Sequence, residues 1–387
     1  KRSITMTSGS AKEKYNGRPL TNGKVDVTGE GFADGEGAEY TVTGSQTLVG
    51  MSNNTFTYKL DEGVNENNYD IRKVYGQLTV TSRESKYGIT LRPLSATELY
   101  DGSEKSVSGF ESLSFMVDGN AYTLSGVEAE ASGTNAGTYP VNVSGTAVVL
   151  DSKGNDVSGE FEVTTESGAL TINKRSVVMT SASGSKQYDG TPLRNGSVTV
   201  TGNGFAEGEG ASYSVTGSRL LPGSSGNTFI YSLNDGTSEG NYDISTSFGT
   251  LTVLNRDAKY EITVKAADAA ELYDGSEKSA EGFDTLEFTV GGNVYTVEGL
   301  TAEVSATDAG RYASVISGTP VVMDAAGNDV SSEFAVSTEP GELIISPRKV
   351  TLTSGSASHA YNGKALTNNN VDVSGDGFAE GEGATYN

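Results

Sequence analysis

Apolar and polar residues alternate with a period of two in short runs such as Lys24-Val25-Asp26-Val27-Thr28, Tyr40-Thr41-Val42-Thr43 and Gln77-Leu78-Thr79-Val80. Runs of this kind, rich in β-branched and aromatic residues, predict half-buried strands. Between them, about every 8 to 12 residues, stands a glycine behind Asn or Asp, which is hairpin and turn chemistry. Examples are Asn16-Gly17, Asn22-Gly23, Asp101-Gly102, Asp118-Gly119 and Asp189-Gly190. The longest helix-compatible stretch, Ala266 to Leu272, is about two turns long and ends at a Tyr-Asp-Gly. No substantial helix is expected.

The same landmarks return at fixed distances. A Tyr-(Asp/Asn)-Gly element begins at Tyr15, Tyr100, Tyr188, Tyr273 and Tyr361, with gaps of 85, 88, 85 and 88 residues. Two repeat types therefore alternate, and counterparts two repeats apart are separated by 173 residues. Asn68-Tyr69-Asp70-Ile71 returns as Asn241-Tyr242-Asp243-Ile244, Phe56 as Phe229, and Tyr139 as Tyr312. The predicted order is A1 (1–85), B1 (86–173), A2 (174–258), B2 (259–346) and an incomplete A3 (347–387). A3 is expected to lack its closing strands, and the natural chain is expected to continue. Repeats of this size are long enough for a small core of their own, unlike solenoid coils.

Six or seven short strands per repeat, no helix and regular turns predict an all-β chain, a tandem array of small immunoglobulin-like β-sandwiches. A β-grasp-like unit with a very short helix is the alternative. The linkers are a few residues long, without a Gly/Ser tract or a proline-rich spacer, which predicts stiff joints. Each junction holds a basic cluster: Arg83 with Lys86, Lys174 with Arg175, Arg256 with Lys259, and Arg348 with Lys349. Pairing of these with acidic loops of the adjoining repeat is expected.

Composition narrows the chemistry. The chain has no cysteine, no tryptophan and one histidine, and its 50 acidic residues against 27 basic ones give a net charge of −23. Disulfides and thiolate metal sites are excluded. So strong an acidic balance disfavours nucleic acid and anionic membranes, whose binding rests on lysine and arginine. The absence of a long apolar run implies no membrane insertion in this segment.

Tyr-Asp-Gly near the repeat start, Asp308-Ala309-Gly310-Arg311-Tyr312 in mid-repeat and the closing Pro340-Gly341-Glu342-Leu343-Ile344-Ile345 resemble bacterial surface-adhesin tandem repeats of the YDG/MBG type. The likeness extends over all five repeats. A repeats depart from it, with Asn16 and Asn362 in place of Asp and Asn54-Thr55-Phe56 near where B2 carries Asp-Ala-Gly-x-Tyr. The resemblance implies large secreted or wall-attached adhesins, often beside mucin-binding modules, without catalytic residues.

The Tyr-(Asp/Asn)-Gly element reads as a fold element. Glycine takes the positive φ of a tight turn, Asp or Asn bonds to its own backbone, and tyrosine packs its ring while offering a hydroxyl to a partner. Gly-x-Tyr at 137–139 and 310–312 resembles a tyrosine corner. The loop Gly-Phe-Ala-(Asp/Glu)-Gly-Glu-Gly-Ala, at 31–38, 204–211 and 377–384, is the sharpest chemical feature. Asp34 and Glu36, with Glu207 and Glu209, are the candidate calcium ligands, although they offer only part of the six to eight oxygens that ion takes. Asp151, Asn155 and Asp156, with Asp324, Asn328 and Asp329, read as turns. His359 has Glu13 and Lys186 as counterparts. A general base does not vary in this way, so no catalytic residue and no cofactor are expected. No lysine is held at one strand position in every repeat, as an isopeptide crosslink would require; Lys265, for instance, is Arg92 in the preceding B repeat.

The expected function is a non-enzymatic extracellular stalk of a bacterial cell-surface or cell-wall protein that projects an adhesive or other terminal domain. The alternatives are repeats that bind host glycan or mucin directly, and a self-assembling filament or matrix protein. The expected partners are the neighbouring repeats, host glycan or mucin, or other copies of the chain.

Overall fold

A computed structural model describes all residues, Lys1–Asn387. Every regular element is a strand except for single 3-10 turns such as Glu66–Asn68 and Ser158–Glu160. The helix-compatible stretch holds the strand Ala269–Leu272. No helix is long and apolar enough to cross a membrane. The chain is an all-β array of immunoglobulin-like sandwiches.

A1 contains β1 (Arg2–Ser8), β2 (Ala11–Lys14), β3 (Val25–Gly29), β4 (Ala38–Val42), β5 (Gly50–Asn53), β6 (Phe56–Leu60), β7 (Tyr69–Val74) and β8 (Gln77–Thr81). β1 pairs antiparallel with β3 and parallel with β7, while β2 pairs parallel with β8, and β8 antiparallel with β5. β4 and β6 form a separate antiparallel pair. Because the opening and closing strands run parallel, the chain enters the repeat at one end and leaves it at the other. A buried asparagine holds the break between β1 and β2. Asn54 donates to the carbonyls of Gly9 (2.9 Å) and Asn22 (2.8 Å), and its own carbonyl accepts the Ser8 hydroxyl (2.5 Å).

B1 contains β9 (Tyr87–Leu91), β10 (Ala96–Leu99), β11 (Lys105–Ser108), β12 (Ser114–Val117), β13 (Asn120–Gly133), β14 (Gly137–Pro140), β15 (Asn142–Asp151), β16 (Phe161–Thr165) and β17 (Ala169–Asn173). Its opening and closing strands are again parallel, β9 with β16 and β10 with β17. The long β13 pairs with β11, β12 and β15. It bulges between Ser125 and Val127, where Gly126 has φ of 77°. A Cβ at that glycine would press on the Thr146 carbonyl, so the bulge admits no side chain.

Strand ladders stay inside the repeats, but packing does not. β1, β3, β6 and β7 close one core of A1 around Ile4, Met6, Phe56 and Tyr69. Its other end contributes Tyr15, Leu20, Leu78 and Val80 to a second core that includes Ile89, Leu91, Tyr122, Leu124, Val149 and Phe161 of B1. The chain accordingly resolves into two compact units whose division falls inside A2. The first comprises Lys1–Val177, Gly202–Gly210 and Leu233–Ile244, and the second Val178–Thr201, Ala211–Ser232 and Ser245–Asn387. The second unit has its own joint core, with Tyr188 and Val253 of A2 beside Ile262, Val264, Tyr295, Val322 and Phe334 of B2. In A3 only Val350–Ser354 and Val371–Gly375 pair. There Leu352 is 47% exposed, whereas Met6 and Met179 at the corresponding positions are fully buried.

Candidate functional site

All five Tyr-(Asp/Asn)-Gly turns are built alike. The side-chain oxygen of Asn16, Asp101, Asp189, Asp274 or Asn362 accepts the backbone N–H two residues on, at 2.8 to 3.0 Å. The glycine that follows has φ between 69° and 84°. Tyr15, Tyr100, Tyr188 and Tyr273 each reach from such a turn into the following repeat. The result is two kinds of joint.

At the A-to-B joint the tyrosine is buried in the core of the following repeat. Tyr15 is 1% exposed, and its hydroxyl lies 3.4 Å from that of Tyr122. Asn120 donates to the Asn16 carbonyl (3.0 Å), and Arg18 to the Asp118 carbonyl (3.0 Å). Arg83 closes the joint from the linker. Its guanidinium donates to the Tyr15 carbonyl (3.2 Å) and the Tyr87 hydroxyl (3.1 Å) and stacks 4.1 Å from the Tyr87 ring, a cation–π contact. Its backbone N–H donates to the buried carboxylate of Glu160 (2.7 Å). Tyr188, Asn293, Tyr295, Arg256, Tyr260 and Glu333 repeat the arrangement in the second unit. Burial, reinforced by the partner hydroxyl, pushes the ionisation of Tyr15 and Tyr188 far above the usual tyrosine range.

At the B-to-A joint the tyrosine meets the acidic glycine loop. Tyr100 packs edge-on against Tyr242 with ring centroids 5.6 Å apart. Both hydroxyls donate to Glu209, that of Tyr242 at 2.8 Å. Tyr242 also accepts the Ala206 N–H (3.0 Å). Arg175 spans the joint, donating to the carbonyls of Tyr100 (3.2 Å), Gly204 (2.9 Å) and Asn203 (2.5 Å). Asn241 donates to the Asn135 side chain (3.0 Å) and accepts the Ala136 N–H (2.8 Å).

This geometry places the sequence candidates. Glu209 is the acceptor of two tyrosines, and Glu36 accepts the Tyr69 hydroxyl. Asp34 and Glu207 are exposed and carry no part of the joint. No group of three metal-ligating side chains converges anywhere in the chain. The junction arginines were expected to seek acidic loops. Their guanidinium groups instead bind main-chain carbonyls, Arg175 those of Asn203 and Gly204 at the start of the glycine loop and Arg83 that of Tyr15 in its turn. The tyrosine corner is present, with Tyr139 donating to the Asn135 carbonyl (2.9 Å) and Tyr312 to that of Asp308 (3.0 Å). Asp151 accepts the N–H groups of Lys153 (2.9 Å) and Asn155 (2.8 Å), as a turn requires. His359 is exposed in A3. Nothing local distinguished a tyrosine that enters the neighbouring repeat from one that packs at home. The usable signal was the constant span of 109 residues from a B-type tyrosine to the glutamate of the next A loop.

The joint carries a pH dependence. Burial, with the Glu209 bond adding to it, pushes Tyr242 up to about 12, against an unfolded value of about 10. A raised tyrosine contributes stability that is complete below the unfolded value and is lost as pH climbs through the folded one. The B1–A2 joint is therefore expected to loosen between about pH 10 and 12. Hydrogen exchange of the Ala206 amide across that range checks this, and Tyr242→Phe should flatten the dependence.

No protein-family model and no curated protein matches this chain. A crystal structure of a tandem from titin is similar at 9% identity and a TM-score of 0.18, covering 66% of this chain and 97% of that one. Drosophila N-cadherin EC1-4 is similar at 10% identity and a TM-score of 0.18, covering 89% of this chain and 92% of that one. An endo-fucoidan hydrolase, MfFcnA4 from glycoside hydrolase family 107, is similar at 13% identity and a TM-score of 0.15, covering 67% of this chain and 45% of that one.

Proposed function

We propose that this chain is a non-enzymatic stalk segment of an extracellular bacterial surface protein, built to carry an adhesive or other terminal domain. The observation that supports it most is the burial of Tyr15 inside the next repeat's core, repeated at Tyr188. A flexible string of beads needs no such contact. Burying an aromatic ring across a linker resists bending there, since interiors pack to crystal-like density and tolerate little displacement. A single residue, Lys174, separates β17 of B1 from the next strand, Arg175–Ser181, so that linker has no slack either. The absence of tryptophan and the use of tyrosines in turns and joints leave little aromatic surface for stacking sugars.

The test is binding of the full chain to a panel of glycans and mucins. The stalk reading predicts no saturable binding at any site. Saturable binding that survives high salt would replace it with the directly adhesive reading, in which repetition supplies avidity.

A further inference from the structure

In each complete repeat an opening strand runs parallel to a closing one. β1 lies beside β7 from Arg2 opposite Tyr69 to Thr7 opposite Val74, and β2 beside β8 from Ala11 opposite Leu78 to Lys14 opposite Thr81. B1 repeats the plan with β9 on β16 and β10 on β17. B2 does so with Tyr260–Lys265 on Phe334–Glu339 and Ala269–Leu272 on Glu342–Ser346, and in A2 Gly184–Gln187 runs along Thr250–Leu254. Tension on the chain draws the opening strand toward its N-terminus and the closing strand toward its C-terminus. In a parallel pair these pulls oppose each other along the strand axis, so the evenly spaced bonds of the ladder are loaded together. Two strands drawn apart from the same end would instead open one bond at a time.

A buried polar knot ties the two strands of this pair in the A repeats. The break between β1 and β2 begins at Ser8, and the break between β7 and β8 contains Gly76. The Ser8 hydroxyl donates to the Asn54 carbonyl (2.5 Å) and accepts the Gly76 N–H (3.0 Å), while the Asn54 N–H donates to the Gly76 carbonyl (2.8 Å). Asn54 and Ser8 are buried. The knot recurs as Ser181, Asn227 and Gly249, with distances of 2.5, 3.0 and 2.7 Å. Burial of apolar surface does not call for it. The side-chain oxygens of Asn54 and Asn227 find no hydrogen-bond partner, a penalty that an apolar residue would not incur. A hydrogen bond, however, holds one strand at a fixed position against another, because it weakens steeply with distance and angle. Contacts between apolar side chains are not directional in this way.

We propose that the parallel opening and closing strands of each repeat are a clamp that bears tension along the chain, and that the Ser8–Asn54–Gly76 knot, with its copy at Ser181–Asn227–Gly249, is the pin that keeps the clamp of an A repeat from sliding. The inference rests on the stalk reading and deepens it, because a segment that carries a terminal domain transmits any pull on that domain. Ser8 and Asn54 act as positioning residues. They hold β1 in register against β7 and β8 rather than binding anything themselves.

Because the chain has no cysteine, thiol handles for single-molecule pulling can be placed on the full chain. Handles at Ser3→Cys and Ser82→Cys, both exposed, load A1 along its strands. Handles at Ser3→Cys and Asp70→Cys, opposite each other in the β1–β7 register, load the same ladder across them. Forced unfolding follows the unfolding rate rather than the equilibrium stability, and both pairs of handles act on one fold, so a difference between them is one of direction. Rupture along the strands is expected at a several-fold higher force at equal loading rate. Ser8→Ala should lower the force along the strands and leave the force across them unchanged, since opening from the Arg2 end breaks the outer bonds first. Asn54→Ser is a second variant and should act in the same direction; B2 carries Ser314 at that place, its N–H donating to the Gly341 carbonyl (2.9 Å). Equal forces in the two directions overturn the clamp. A fall of equal size in both directions in the variants overturns the pin. Neither result bears on the glycan and mucin test of the stalk reading, so the two fail separately.

Discussion

Tyr15→Ala is expected to lower the stability of A1 and B1 together by about 3 to 5 kcal/mol, as removal of a buried large aromatic does when the site cannot collapse. The ring belongs to a core that both repeats share, so the loss is not confined to the repeat that carries the mutation. The cavity strips contacts from Tyr122 and the rest of the shared core, while the main-chain carbonyl of residue 15 that Arg83 binds is kept. The same motif supplies the control. Tyr361 is 98% exposed in A3, so Tyr361→Ala should stay within about 0.5 kcal/mol. Calorimetry of the full chain, with hydrogen exchange at β8 and β16, reads both. Loss of protection confined to A1 would mean that the core is not shared.

Gly17→Ala is the second large effect, expected at about 2 to 5 kcal/mol. Gly17 has φ of 72°, and forcing an L side chain into that region costs about 1 to 2 kcal/mol. Its added methyl would also overlap the Tyr122 hydroxyl and the Asn120 amide of the next repeat, and overpacking of that kind adds about 1 to 3 kcal/mol. Gly35 separates the two terms. Its φ is 82° with open space around it, so Gly35→Ala should show the backbone cost alone. Equal losses at the two glycines, read by the same calorimetry, would mean that the turn does not touch its neighbour. Gly190→Ala should repeat the Gly17 result in the second unit, because Tyr295 and Asn293 stand in the same places.

What could be read from the sequence divides along the reach of the interaction. Alternating runs gave strands because burial on one face of a sheet imposes a period of two. The Asp and Asn turns and the tyrosine corners are contacts within a few residues, and the residue types alone imply them. The joint lies beyond that reach. Tyr15 and Tyr122 are 107 residues apart in different repeat types, and no local pattern links them. The acidic glycine loop is ambiguous in sequence for a related reason. A carboxylate that accepts tyrosine hydroxyls and one that ligates a cation present the same residues in sequence, and the arrival of Tyr100 and Tyr242 at Glu209 is a long-range contact that no local pattern announces. The arginines were placed at the junctions correctly, yet main-chain carbonyls exposed by a positive-φ glycine loop are invisible in a count of charges.

The same reach explains why the packed bodies are out of step with the repeats. Each repeat keeps its own ladders, while the far half of an A repeat joins the near half of a B repeat in one core. A mutation near a junction therefore belongs to two repeats at once, and one repeat excised at the sequence boundary would expose a large part of a core.

The central claim is that Tyr15 locks A1 to B1 through that shared core. Spin labels at Thr57→Cys and Glu162→Cys, both exposed positions in a chain without native cysteine, report the distance across the joint by double electron–electron resonance. A single narrow distribution that broadens on Tyr15→Ala is the predicted result. A distribution already broad in the unmodified chain, or one that Tyr15→Ala leaves unchanged, would contradict it.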